Sequence, residues 1–238
     1  EQARSSLEKA GVDTPKLDAE ILLARAMGVS RASLHTWPER EVPAESRARF
    51  DEWVLRRGRL EPVAYLLGDQ EFYGHLFVVT CDVLIPRPET EHIIEVVLGL
   101  DAAKAQEPVR ILDVGTGSGC IACTLALELP RAEVLAVDIS EQALLVAEKN
   151  IREHGLGGRV LCRQSDLLAS LEVEEAFDVI VSNPPYVEST HLEVMQPDVA
   201  HYEPHLALFA GETGLDIIRR LSRDAFELLL PGGALVLE

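Results

Sequence analysis

The chain has 238 residues, 47% hydrophobic and 5% aromatic, enough for one large domain or a core domain with a smaller partner. Its formal net charge is −18; positions 1–80 hold 11 basic and 13 acidic residues, and the remainder carries −16. That excess has the wrong sign for a groove tracking nucleic-acid phosphates or a surface held to anionic lipid. No apolar run approaches the roughly 18 residues of a membrane-spanning helix.

The start, "EQARSSLEKAG", is polar, has no signal-peptide core and lacks an initiator Met, so a trimmed chain is expected. Residues 1–68 read as helices. "LDAEILLARAMG" sets Leu17, Ile21, Leu22 and Ala24 or Arg25 at helical spacing, with Gly28 at its end. "PAESRARFDEWVLRRGRL" starts at Pro43 and places Phe50, Trp53, Val54 and Leu60 largely on one side, and "EPVAYLLG" runs from Pro62 to Gly68. "EFYGHLFVVTCDVLIP" is rich in aromatic and β-branched residues and reads as two short strands, a hairpin linker over 69–86.

From Arg110 strands and helices alternate. The strands "RILDVG", "AEVLAVDI", "RVLCRQSDL", "FDVIVSN" and "GALVLE" are near-continuous apolar runs. The helices between them are "CIACTLALEL", "EQALLVAEKNIREHG" and "GLDIIRRLSRDAFELLL". Such runs belong to a parallel sheet covered on both faces, a doubly wound α/β domain whose ligands sit beyond the carboxyl ends of the strands. Residues 187–212 form the longest irregular stretch, of a length that is usually functional or disordered. Cys81, Cys120, Cys123 and Cys162 lack paired zinc spacing and read as small residues of a protein in a reducing cytoplasm. His201 and His205 are separated by Pro204, which spoils a helical metal site, so no metal is expected.

"LDVGTGSGC" places Gly115, Gly117 and Gly119 where the first of these strands becomes a helix, with Thr116 and Ser118 between them. Glycine lets the backbone turn sharply and lets a ligand touch the main chain. The G-x-G-x-G spacing puts Cys120 where a dinucleotide fingerprint wants its third glycine, which disfavours NAD or FAD. Asp138 ends the second strand, where a carboxylate accepts from both ribose hydroxyls of an adenosine cofactor. Asp166 ends the third, near the place of an adenine amine. Asp113 either faces a ligand amine or caps the turn.

"SNPPYV" leaves the fourth strand through Asn183, Pro184, Pro185 and Tyr186. Neither proline donates to a sheet ladder, and Asn183 is held extended by the ring that follows it. The result is a stiff corner carrying one amide beside one aromatic ring.

Together, "DVGTGSG", the acidic end of "AVDIS", and "NPPY" resemble a class I S-adenosylmethionine-dependent methyltransferase acting on an amide or amino nitrogen. "EPVAYLLGDQEFYG", "VLIPRPETE", "ILDVGTGSGCIA", "FDVIVSNPPYV", "YEPHLAL" and "PGGALVLE" extend the resemblance over nearly the whole chain, to the protein release factor glutamine methyltransferases (the PrmC/HemK family). The resemblance implies a Rossmann-like doubly wound sheet over 87–238, behind a small N-terminal helical domain (1–68) that grips the substrate and the hairpin linker (69–86). It implies methyl transfer from S-adenosylmethionine, leaving S-adenosylhomocysteine, to the glutamine of the Gly-Gly-Gln tripeptide in class I peptide chain release factors in the cytoplasm. It places Gly115, Thr116, Gly117, Ser118 and Gly119 on the methionine end of the cofactor, Asp138 on the ribose, Asp166 and Leu167 at the adenine, and "IPRPETE" beneath. Leu167 stands where some relatives carry a larger ring. It also implies strands beyond Glu238. Exocyclic-amine methyltransferases of adenine share NPPY and are the alternative, but they need a basic recognition region.

A carboxamide nitrogen is a poor nucleophile, because its lone pair is delocalised into the carbonyl. The corner can hold the NH2 group with two acceptors, the Asn183 side-chain oxygen and the Pro184 carbonyl, while Tyr186 lies flat on the amide. None of these is a general base, so positioning is expected to supply most of the rate, a contribution worth roughly 7–11 kcal/mol for well-oriented reactants.

Overall fold

The structure, a computed structural model, describes residues 1–104 and 108–238. The first elements in chain order are the helices α1 (Gln2–Lys9), α2 (Pro15–Met27), α3 (Arg31–Thr36), α4 (Ala44–Arg57) and α5 (Val63–Leu67). The strands β1 (Asp69–Phe72) and β2 (His75–Val78) come next, then α6 (Glu91–Gly99), α7 (Asp101–Lys104), β3 (Arg110–Val114), α8 (Cys120–Glu128), β4 (Glu133–Asp138), α9 (Glu141–Glu153) and β5 (Val160–Gln164). The chain closes with β6 (Phe177–Ser182), α10 (Pro197–Tyr202), α11 (Asp216–Asp224) and β7 (Leu229–Leu237). Two compact units result: residues 1–68 with 196–202, and residues 69–195 with 203–238.

In the first unit Leu22, Ala26, Phe50 and Leu66 form the core, with Trp53 and Val54 packed against it. The buried stripe of α2 is rotated from the expected one. Leu17 is exposed, and its neighbour Asp18 is buried. The cause is Arg57 of α4, whose Nε donates to Asp18 Oδ2 at 2.7 Å, both side chains being under a tenth exposed. The Thr14 hydroxyl takes the other Asp18 oxygen at 2.7 Å. Helix α4 ends at Arg57, so Leu60 lies beyond it rather than on its apolar side.

In the second unit β1 and β2 form an antiparallel hairpin. Tyr73 and Gly74 both take positive φ (51° and 76°) at its tip, the geometry of the two-residue turn that suits strand twist. Glu91 accepts from the Tyr73 N–H at 2.9 Å and ties this tip to α6. The main sheet is parallel, in the order β5-β4-β3-β6-β7. Alternate side chains fill two cores: Ile111, Val179 and Val181 pack with α6 and α8, while Leu112, Val114 and Ile180 pack with α11. Each such fully buried side chain contributes about 1.5–3 kcal/mol. The strand order reverses at β3, which pairs with β4 on one side and β6 on the other, so the crevice of the fold opens above the carboxyl ends of β3 and β6.

The final strand starts earlier than "GALVLE": it runs from Leu229 through Pro231–Gly233, with a register shift opposite Phe177–Val179 that absorbs the extra residues. The preceding helix is correspondingly shorter, ending at Asp224. The stretch expected to be irregular, 187–212, contains a 3-10 turn (Ser189–Val194), α10, and a second 3-10 turn (His205–Ala207).

Candidate active site

The glycine turn leaves β3 with Gly115, Gly117 and Gly119 at φ 72°, 54° and 78°, conformations that side-chain-bearing residues avoid. Four of its N–H groups are bonded within the protein. Those of Gly115 and Thr116 donate to the Val137 carbonyl (2.8 and 3.0 Å), that of Gly119 to Thr116 O (2.8 Å), and that of Gly117 to Asp138 Oδ2 (2.9 Å). Asp138 Oδ1 accepts from the Ser140 N–H at 2.9 Å. Burial pushes the Asp138 carboxyl above its ordinary range, against the pull of the Ser140, Gly117 and Ile139 N–H groups.

Asp113, fully buried below the turn, accepts the Thr116 hydroxyl at 2.6 Å on Oδ2, which settles its capping role. Oδ1 has no hydrogen-bond partner among the described residues. Burial pushes this carboxyl up to about 7, with Thr116 and the Ala122 N–H opposing and Asp138 reinforcing. Asn150 of α9, also fully buried, accepts from Val78 N (2.7 Å) and donates to Val78 O (3.0 Å) and Ser118 O (2.8 Å). It thus fastens the turn to β2.

At the end of β6 the Ser182 hydroxyl donates to Val114 O at 2.7 Å, joining the corner to the start of the glycine turn. Asn183 Nδ2 donates to Thr90 Oγ1 at 3.0 Å. This bond uses one of the two N–H donors of Nδ2 and fixes the amide, whose acceptor end is Oδ1. The segment before Thr90 is anchored by Glu203, whose buried carboxylate accepts from Arg87 Nη2 (2.5 Å) and the Ile85 N–H (3.2 Å).

A cavity of about 190 Å³ opens over these groups. Gly115, Thr116, Gly117, Ser118, Asp138, Asp166, Leu167, Asn183 and Pro185 all line it, as do Pro86, Arg87 and Thr90 of "IPRPETE". The other expected residues lie elsewhere. Gly119 packs on α9, where a Cβ would come within 3.1 Å of Ala147 Cβ. Pro184 is buried, and Tyr186 is 54% exposed. The Asp166 carboxylate accepts from Arg220 Nη2 at 3.0 Å, so at the surface it serves an ion pair. Leu167 holds φ 51°, which costs a leucine on the order of 1 kcal/mol. Cys120 and Cys123 are buried, and burial pushes their thiols far up, Cys120 to about 12, so both are inert core residues.

Residues 1–68 match the family model of the PrmC N-terminal domain, and residues 98–207 that of the methyltransferase small domain. The chain is 50% identical over 238 residues to the release factor glutamine methyltransferase of Koribacter versatilis (strain Ellin345), covering 100% of this chain and 84% of that one. It is 44% identical to the protein of that name from Rhodopirellula baltica, over 97% and 78% of the two chains. The chain belongs to the release factor glutamine methyltransferase family. Among solved structures, the hMettl16 catalytic domain in complex with MAT2A 3'UTR hairpin 1 superposes with a TM-score of 0.54 at 20% identity, over 77% of this chain and 64% of that one. The T. thermophilus 16S rRNA N2 G1207 methyltransferase in complex with AdoMet and guanosine gives 0.50 at 22%, over 71% and 40%. These two show a shared fold, that of class I methyltransferases.

For a release factor glutamine methyltransferase the cavity has suitable chemistry. Its glycine turn spends the N–H donors of Gly115, Thr116, Gly117 and Gly119 inside the protein, so few remain for a phosphate of the kind a nucleotide enzyme cradles. What it offers are acceptors: Asp82, Asp138 and Asp166 line it, whereas Asp113 lies fully buried beneath the turn and is not part of the lining. A ligand carrying an ammonium, a sulfonium and a ribose diol, as S-adenosylmethionine does, supplies donors and positive charge where these acceptors stand. Three residues that build this family member's site were not singled out in the sequence: Thr90, Asn150 and Glu203. Thr90 and Glu203 lie within the motifs "IPRPETE" and "YEP"; Asn150 lies in an ordinary helix, with no local signal.

Proposed function

We infer that this chain methylates the side-chain amide nitrogen of the glutamine in the Gly-Gly-Gln tripeptide of class I peptide chain release factors, using S-adenosylmethionine and working in the cytoplasm. The observation that carries this reading is the Asn183 amide, fixed through Thr90 in the wall that also contains Asp138. S-adenosylmethionine, when bound, supplies a methyl group on a positively charged sulfur. In our reading Gly115 to Gly119 surround its methionine end, Asp138 takes the ribose hydroxyls through lone pairs not used by Gly117 and Ser140, and Asp166 and Leu167 flank the adenine.

Asn183 Oδ1 and the Pro184 carbonyl accept the two N–H bonds of the substrate amide and turn its nitrogen toward the methyl group. Pro184 and Pro185 keep these acceptors from drifting. Tyr186 covers one face of the amide plane and excludes water. The N–C bond would form as the S–CH3 bond breaks, with neutral S-adenosylhomocysteine as the leaving group, and the nitrogen would lose its extra proton to solvent, Asn183 and Pro184 serving only to orient it. Charge disappears from the site during transfer, which a dry cavity favours. We propose that residues 1–68 recognise the release factor, that 69–86 link the domains, and that 87–238 hold the catalytic machinery.

The test uses S-adenosylmethionine labelled in its methyl group with three acceptors: a class I release factor, the same factor with its tripeptide glutamine changed to alanine, and adenine-containing duplex DNA. Label should enter the first alone. Asn183→Ala should lower kcat about 30- to 1,000-fold, the ~2–4 kcal/mol of a hydrogen bond to a reacting group. Label in the alanine variant or in the duplex refutes the reading.

A further inference from the structure

We propose that Gly214, outside the NPPY corner, is a positioning residue for Tyr186; this rests on the reading of Tyr186 as the residue that covers the substrate amide. Gly214 holds φ +68°, and a Cβ built there would stand 2.3 Å from the Tyr186 carbonyl oxygen and 3.2 Å from its carbon. Both are backbone atoms, which cannot swing aside as the end of a flexible side chain does. The chain just beyond is also fixed. The Val187 N–H donates to Leu208 O and the Ala210 N–H to Val187 O, each at 2.9 Å, and the Ser189 N–H and hydroxyl both donate to Gly211 O (2.9 and 3.0 Å). The Tyr186 ring, by contrast, is more than half exposed, so packing does little to hold it. Its direction is therefore set through its backbone, and that backbone keeps its place only while residue 214 carries no side chain.

Any side chain at 214 must push the Tyr186 carbonyl by a large fraction of an ångström. Displacements on that scale at a group that orients a reacting amide lower rates by as much as 100-fold. The cofactor-binding turn lies on a different segment, Gly115 to Gly119, and makes no use of Gly214. Loss of turnover with cofactor affinity retained is the expected signature.

The experiment compares kcat, KM for release factor and S-adenosylhomocysteine affinity in four proteins: Tyr186→Ala, Gly214→Ala, their double variant, and Gly155→Ala. Gly155 has φ +69° with nothing within 4 Å of its Cβ, so that variant carries the same backbone strain without the contact. Gly214→Ala should lose 10- to 100-fold in kcat and stay within threefold in cofactor affinity. Gly155→Ala should stay within threefold in both, and the double variant should be no slower than Tyr186→Ala. If Tyr186→Ala is slow while Gly214→Ala turns over normally, the positioning role falls and the function reading stands. If Tyr186→Ala itself is near normal, the reading of the corner falls and the proposal with it. A double variant slowed by the product of the two single effects, or a Gly214→Ala that does not fold where Gly155→Ala does, makes Gly214 structural and also overturns the proposal.

Discussion

A threonine hydroxyl both donates and accepts, so Thr90 acts on Asn183 chiefly by giving one end of the amide a fixed partner in a nearly fully buried position. Thr90→Val keeps the shape and removes that partner. It should lower kcat for glutamine methylation about 5- to 30-fold, the ~1–2 kcal/mol of a neutral hydrogen bond, and leave S-adenosylhomocysteine affinity within threefold. Thr90→Ser should restore most of the rate; single-turnover kinetics on release factor measures both. Asp113 makes a different demand. Its folded-state carboxyl is raised from 3.8 to about 7, so the folded protein binds this proton more tightly than the unfolded chain does. Its contribution to stability is therefore greatest below pH 4, falls as pH rises toward 7, and is flat above. In cofactor-free protein, Asp113→Asn should gain on the parent by up to ~1.4 kcal/mol per pH unit across that window, as read by urea melts at pH 4.5, 6 and 7.5. Parallel pH profiles for the two proteins would show that the buried carboxyl is not what titrates.

Among elements, what could be read from the sequence was what depends on neighbours along the chain. Continuous apolar runs announced the parallel strands, Gly115 to Gly119 announced a turn that only glycine makes easily, and two prolines after Asn183 announced a rigid corner. Alternating strands and helices announced a parallel sheet but not its order; that β3 and β6 lie side by side is seen only in the structure. Helix α6 was legible too, through Ile93, Ile94 and Val97, and went unassigned in the shadow of "IPRPETE". Other features depend on distant partners that no local pattern reveals. Thr90 meets Asn183 across 93 positions, Asn150 meets Val78 across 72, and Glu203 meets Arg87 across 116. Periodicity also misplaced the stripe of α2, because a buried carboxylate looks polar until its arginine is known. The short helix and turns of 187–212 span six residues or fewer, too few for a period to show.

On the scale of the whole molecule, the N-terminal unit rests on a charge pair as well as an apolar core. Asp18→Ala would leave Arg57 buried without its main partner, a change that typically costs about 3–5 kcal/mol. Amide hydrogen exchange in α2 and α4 should accelerate accordingly, while S-adenosylhomocysteine affinity stays within twofold; unchanged exchange would mean that Arg57 finds adequate partners elsewhere. Helix α10 belongs to this same unit although it follows β6 in the chain. The Tyr202 hydroxyl donates to Arg59 O at 2.8 Å across 143 positions, and Asp198 lies 3.7 Å from the Arg57 guanidinium. A chimaera that exchanged residues 1–68 between two family members would carry one half of these pairings and leave the other half behind. Productive recombination has to move both pieces or neither, because the N-terminal unit is closed by a segment drawn from more than a hundred residues further along the chain.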